Sequence, residues 1–192
     1  MGDLRVIAGK AGGLRLKSVP GTGTRPITDR VKEALFNIIG GDIVSTKWLD
    51  LFAGTGAVGI EALSRGAVHV RFLDMNRQAT QTIRENLAHT KLEIFAQVLQ
   101  TDSLSYIARN PDDEFDYVYV APPQYKQMWT EAMHRLDEKP GWVLHDGWII
   151  VQIHPVEYEK LDLKNFSEID LRKYGSTLLV FYEKINPTGQ NE

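Results

Sequence analysis

The 192-residue chain has no cysteine, which rules out a disulfide framework, a thiolate metal site and a cysteine nucleophile. No apolar run approaches the roughly 18 residues of a membrane span, and no charged-then-apolar leader opens the sequence. A cytoplasmic protein is the default expectation. Five histidines (His69, His89, His134, His145 and His154) are scattered without metal-ligand spacing, so no metal is expected. Neither sign of charge dominates, since 22 Lys and Arg against 25 Asp and Glu leave a net −3. Internal repeats and low-complexity blocks are absent. What remains is an ordinary globular composition, long enough for one domain with an appendage.

The charge is unevenly placed. Residues 1 to 32 hold seven basic side chains (Arg5, Lys10, Arg15, Lys17, Arg25, Arg30 and Lys32) against Asp3 and Asp29, a local +5, so residues 33 to 192 carry −8. A basic arm on an acidic body points to a polyanionic partner, with a solvated charged surface as the alternative. Arg5 to Ala8 reads as a short strand, Gly9 to Gly13 as a turn, and Leu14 to Lys17 alternates apolar and basic with period two. That predicts a small N-terminal β-hairpin with Arg15 and Lys17 on one face. Pro20 to Pro26 reads as a mobile loop.

The chain is organised around Trp48 to Gly59, WLDLFAGTGAVG. A short apolar run, a run of small residues from Ala53 to Gly56, and resumed helical spacing describe a buried strand, a tight turn and a helix start. Glycines suit a turn whose N–H groups a ligand must reach. Gly54, Gly56 and Gly59 fit G-x-G-x-x-G. Asp74, at the end of the next apolar run, is placed to hold two ribose hydroxyls.

Thr28 is expected to cap a helix with apolar positions Val31, Ala34, Leu35, Ile38 and Ile39, ended by Gly40-Gly41. Beyond the glycine turn, strands are expected at Val68 to Leu73, Glu93 to Leu99, Tyr117 to Val120 and Trp148 to Ile153. Helices are expected at Arg77 to Leu87, Leu104 to Ala108 (capped by Asp102 and Ser103), Gln127 to Leu136 and, briefly, Val156 to Leu161. Asn110 to Glu114 is a polar acidic loop. Phe166 to Lys173 and Thr177 to Glu183 form an antiparallel pair through Tyr174-Gly175-Ser176, and Ile185 to Glu192 is a tail. Such alternation means an α/β fold, a mostly parallel sheet with one antiparallel strand. The expected division is an arm and loop over 1–27, a catalytic domain over 28–184 and a tail over 185–192.

A dehydrogenase is the first reading of the glycine motif, and three features oppose it. Asp50 lies in the first strand, where it repels a pyrophosphate but can bind a cationic or amino-acid end. Asp102 follows the third strand, within reach of a purine edge or simply capping its helix. A Pro-Pro pair, Pro122-Pro123, ends the fourth strand. A cofactor without phosphates fits better, namely S-adenosylmethionine, with its methionine end near Asp50, its ribose at Asp74 and its adenine near Asp102. Ala53, Thr55, Met75 and Ser103 complete the expected cofactor set.

Three blocks carry a resemblance. They are Arg5-Val-Ile-Ala-Gly9; Arg25-Pro-Ile-Thr-Asp-Arg-Val-Lys-Glu-Ala-Leu-Phe-Asn37; and Asp50-Leu-Phe-Ala-Gly-Thr-Gly56 with Gly59-Ile-Glu-Ala-Leu-Ser-Arg-Gly66. Together they resemble the bacterial 16S ribosomal RNA guanine-N2 methyltransferases. The resemblance implies a Rossmann-like seven-stranded methyltransferase sheet, S-adenosylmethionine as donor and a guanine exocyclic amine in ribosomal RNA as acceptor. Arg5, Lys10, Arg15 and Lys17 would then engage phosphates, with Arg25 to Arg30 as the lip between arm and active site.

The chain departs from the family at the acceptor site. The family motif is Asp or Asn, Pro, Pro, then an aromatic; here it reads Ala121-Pro122-Pro123-Gln124-Tyr125. The backbone carbonyl of Ala121 is kept, the side-chain oxygen is lost, Gln124 could return a neutral acceptor, and Tyr125 could stack on a flipped base. The loss leaves two other readings open: a non-catalytic module that binds RNA or donor, and a methyltransferase on another substrate.

Overall fold

The computed structural model describes residues 4–21, 27–124 and 127–185. The loop expected at Pro20 to Pro26 and the tail expected at Ile185 to Glu192 lie largely outside them. The chain forms two compact units, 1–103 and 104–192.

In the first unit, α1 (Asp29–Ile39) starts at Thr28, whose hydroxyl accepts the Val31 N–H at 3.4 Å. Its buried stripe is Val31, Lys32, Leu35, Phe36 and Ile39, rotated from the expected one because a lysine is drawn inward. Strands β1 (Lys47–Asp50), β2 (His69–Asp74) and β3 (Ala96–Gln100) run parallel in the order β3-β2-β1. Between them lie α2 (Ala57–Arg65) and α3 (Arg77–Thr90), the latter capped by Asn76. The expected strand at Glu93 to Leu99 loses its first half: Glu93–Phe95 is a 3-10 turn, and pairing with β2 begins only at Val70↔Ala96. Ile94 is 81% exposed there, so alternation along that run does not reflect burial. The first unit ends at Ser103, the opening residue of the short α4 (Ser103–Ile107).

Residues 4–17 fold back on themselves through a single antiparallel bridge, Arg5↔Arg15, flanked by Val6 N to Leu14 O and Leu16 N to Leu4 O. Two of the family-like blocks meet here. Glu61 of α2 accepts the N–H groups of Ile7 (2.7 Å) and Ala8 (3.0 Å), and Ser64 donates to Ala8 O at 2.5 Å while accepting from Ala11 N at 2.9 Å. Gly9 has φ +83°, and a Cβ there would sit 1.9 Å from Ser64 O. No other residue type fits that approach. Lys32 of α1 supplies the third block. Fully buried, it lies 3.6 Å from Glu61 and donates to Arg5 O, while Arg65 reaches Glu61 at 2.7 Å. Burial holds the Lys32 ammonium below its ordinary pKa against the opposing pull of Glu61. Lys32 is therefore a structural ion and no part of a basic surface.

In the second unit, β4 (Phe115–Val120) pairs parallel with β5 (Val143–Ile153), and α5 (Met128–Glu138) lies between them in sequence. Strand β5 is nearly twice its expected length; the extra residues are irregular, with Asp146 at φ 62° and a register shift opposite Phe115 to Tyr117. Strand β7 (Thr177–Lys184) runs antiparallel to both its neighbours, β5 and β6 (Phe166–Tyr174), giving β4-β5-β7-β6. The expected helix at Val156 to Leu161 is only a 3-10 turn, Pro155–Glu157, closed by His154, whose N–H donates to the Glu157 carboxylate and whose Nδ1 accepts the Val156 N–H. Val156 is 72% exposed and gives a helix nothing to bury. Trp129 and Trp142 are core residues.

The seven strands among the described residues, mostly parallel with β7 reversed, make this an α/β fold, as the alternation of elements implied. No helix among the described residues is long and apolar enough to cross a membrane.

Candidate active site

Strand β1 ends on Asp50, which is 2% exposed. Its Oδ1 has no hydrogen-bond partner among the described residues. Burial, and then the nearby charge of Asp74, raise its pKa to about 8, against the pull of the Phe52 and Gly59 backbone N–H groups. An unpartnered buried carboxyl oxygen is costly unless a ligand completes it.

The turn that follows is open where it matters. Gly54 has φ +54°, and an added Cβ there would meet nothing within 4 Å. Gly59 is different: a Cβ would lie 2.3 Å from the Phe72 ring, so this glycine lets α2 settle on β2. Asp74 pins the turn, its Oδ2 accepting the Gly54 N–H at 2.9 Å and its Oδ1 the Asn76 N–H at 2.8 Å. That spends a turn N–H on a protein carboxylate, where a dinucleotide fold would offer it to phosphate. Ala53 and Thr55 are buried, and Gly56 caps α2 in the left-handed conformation. Met75 is 67% exposed beside Asp74. Asp102 is half-buried, and the buried Ser103 hydroxyl donates to Leu51 O, just beyond the end of β1.

Sequence reasoning missed Asn86. Buried on α3, it accepts the Lys17 N–H at 2.7 Å and donates to Lys17 O (3.1 Å) and Thr55 O (3.0 Å). The arm is thereby joined to the glycine turn at Lys17. Lys10 lies elsewhere, its N–H bound to Ser64 O at 2.8 Å, at the opposite end of a nine-residue helix about 13 Å long. Arg5 is paired with Asp29 at 2.9 Å and Lys17 with Glu85 at 2.8 Å, all partly exposed. Arg15 and Arg30 are exposed. Arg25 lies outside the described residues.

In the second unit, β4 runs out at Ala121, half-exposed, followed by buried Pro122 and exposed Pro123 and Gln124. Tyr125 lies outside the described residues. No group of three His, Asp or Glu that could hold a metal exists among the described residues.

Residues 4–183 match the family described as "Conserved hypothetical protein 95". The chain is 38% identical to "Putative rRNA methyltransferase YlbH" of Bacillus subtilis, over 94% of this chain and 99% of that protein. It is 36% identical to "Ribosomal RNA small subunit methyltransferase D" of Escherichia coli, over 79% of this chain and 75% of that protein. Among solved structures it is similar to "Putative methyltransferase yhhF from Escherichia coli", with a TM-score of 0.83 and 33% identity over 95% of this chain and 98% of that one. The chain is thus a methyltransferase of the family described as "Conserved hypothetical protein 95", alongside these ribosomal RNA methyltransferases.

Proposed function

We propose that the chain transfers a methyl group from S-adenosylmethionine to the exocyclic N2 amine of a guanine in small-subunit ribosomal RNA. The observation that carries the donor is Asp50. Its unpartnered buried oxygen, beside an open glycine turn, suits a ligand that brings its own cationic or hydrogen-donating end. Asp74 uses two of its roughly four acceptor positions on backbone N–H groups, which leaves capacity for ribose hydroxyls. Met75, Asp102 and Ser103 are assigned to the adenosine side, and Ala53 to Gly56 to the turn beneath it. When bound, S-adenosylmethionine supplies an electrophilic methyl group whose bond to sulfur breaks as the bond to nitrogen forms.

The chain's own residues must then present a reluctant nucleophile. The lone pair of a guanine amine is delocalised into the ring, so rate comes from alignment and from acceptors on its hydrogens. The Ala121 carbonyl and the Gln124 amide oxygen are assigned that role, with Pro122 and Pro123 fixing the turn and Tyr125 stacking on the base. The proton shed by the methylated amine passes to water.

RNA is favoured as substrate by the relatives' names and by the arm. Exposed pairs such as Arg5–Asp29 and Lys17–Glu85 are weak enough for phosphates to displace their carboxylates. Arg5, Lys10, Arg15, Lys17, Arg25 and Arg30 are assigned to the phosphates. Ribosomal RNA places this work in the cytoplasm.

The test is transfer of labelled methyl to small-subunit ribosomal RNA, naked and within protein-bound particles, with nucleoside analysis. N2-methylguanosine is expected, and its loss in Gln124→Ala would give the amide part of the missing acid's role. Ala121 favours one second reading, a module that binds donor and RNA without transfer. That reading requires S-adenosylhomocysteine to raise the melting temperature, no product from the parent chain, and product from Ala121→Asp.

A further inference from the structure

The face of the sheet that leads to Ala121 carries a second polar group. Tyr117 and Trp148 are register partners on β4 and β5, and their rings meet edge-on at 6.1 Å. Two residues further on, Tyr119 lies on that same face. Its hydroxyl donates to Gln152 Oε1 at 2.5 Å. The register continues through Val120↔Val151, so the next rung sets Gln152 beside Ala121, both half-exposed. An alanine methyl at 121 is too short to cover a neighbouring glutamine amide.

We infer that Gln152 is a binding residue for the target base and that Tyr119 is the positioning residue that aims it. The inference rests on the proposed function, whose acceptor turn it extends to β5. A buried tyrosine hydroxyl needs a partner, and here it holds the carbonyl end of the amide. The two Nε2 hydrogens are the remaining donors. A guanine offers one acceptor atom, the ring nitrogen N3, next to its reacting amine, so Gln152 donates to the ring while Ala121 and Gln124 accept from the amine. One side of the acceptor site then reads a hydrogen-bond acceptor on the base, and the other reads its hydrogens. A site built this way rejects bases that lack the matching group far more strongly than shape alone would.

The experiment is single-turnover methyl transfer to ribosomal RNA by the full chain carrying Gln152→Met, Gln152→Glu, Tyr119→Phe or Gln152→Met with Tyr119→Phe. Methionine keeps the volume and loses the amide. Glutamate keeps the acceptor for Tyr119 and loses the donors. Both Gln152 variants should slow transfer roughly tenfold with S-adenosylhomocysteine affinity unchanged; Gln152→Glu, which keeps the acceptor for Tyr119, should also leave the melting temperature unchanged. Tyr119→Phe should slow it about threefold in the parent and not at all on top of Gln152→Met, a non-additivity that a merely structural tyrosine would not produce. Parent-like transfer by Gln152→Met or Gln152→Glu overturns the inference and leaves the proposed function standing. Absence of transfer by the parent to any RNA overturns both.

Discussion

Among the described residues, every buried Lys, Arg, Asp, Glu, Asn, Ser and Thr lies in the first unit. The second unit has a core of aliphatic and aromatic side chains, and its polar chemistry sits at the rim, at Ala121 to Gln124 and at Gln152. The first unit therefore holds charged side chains whose burial must be compensated, by Glu61 for Lys32 and, in the function proposed, by the donor for Asp50. The groups assigned to the acceptor in the second unit are neutral and stand on an apolar sheet. Changes in the first should show up in stability, in donor affinity and in pH dependence; changes in the second should alter transfer and leave the fold intact.

The largest expected effect comes from breaking the latch. Glu61→Ala strips a fully buried Lys32 of its counter-ion and leaves the Ile7 and Ala8 N–H groups unpaired. Removing one partner of such a pair costs about 3–5 kcal/mol, to be read from the urea midpoint; a midpoint close to the parent's would refute the latch. Asp74→Ala comes next. It frees the Gly54 N–H and removes the acceptors assigned to ribose, so S-adenosylhomocysteine should bind roughly tenfold to a hundredfold more weakly by calorimetry.

Asp50 tests the comparison through pH. Its folded-state pKa, about 8, lies above the ordinary carboxylate value, so the stability contributed by its protonation is fully present below the unfolded pKa and is lost as pH rises through about 8. Without ligand, the parent should lose stability relative to Asp50→Asn between about pH 5 and 8 and level off above. A gap that stays constant over that range would contradict the buried, protonated carboxyl. The smallest effect belongs to the exposed arm. Arg15→Ala with Lys17→Ala should weaken RNA binding and reduce its salt slope by about 1 for each phosphate no longer neutralised, with melting unchanged. RNA binding identical to the parent's would remove the arm from the interface.

The strand, glycine turn and placed acid were legible because each is a local pattern: an apolar run, small residues at fixed offsets, and Asp74 at the next strand end. The antiparallel β6/β7 pair was legible through Tyr174 to Ser176 for the same reason. Lys32 counts toward the basic excess of residues 1 to 32, and nothing in its neighbourhood reveals that Glu61, twenty-nine residues on, pairs with it in the core. The half-strand at Glu93 and the missing helix at Val156 fail alike: apolar residues were present at suitable spacing, but Ile94 and Val156 face solvent. Spacing shows which residues could share a face, and only the tertiary fold decides whether that face is covered. Asn86 and Gln152 gave no signal because a lone amide is informative only once its partners are known.

The arm's partners also fix an order of events during synthesis. Ala8 is held by residues 53 and 56 positions later, and Lys17 by Asn86, 69 positions later. At about 5–20 residues per second, Lys17 waits roughly 3–14 s after its own synthesis for Asn86 to be made. The arm is placed later than its position in the sequence suggests, because the side chains that hold it at Ala8 and Lys17 belong to α2 and α3.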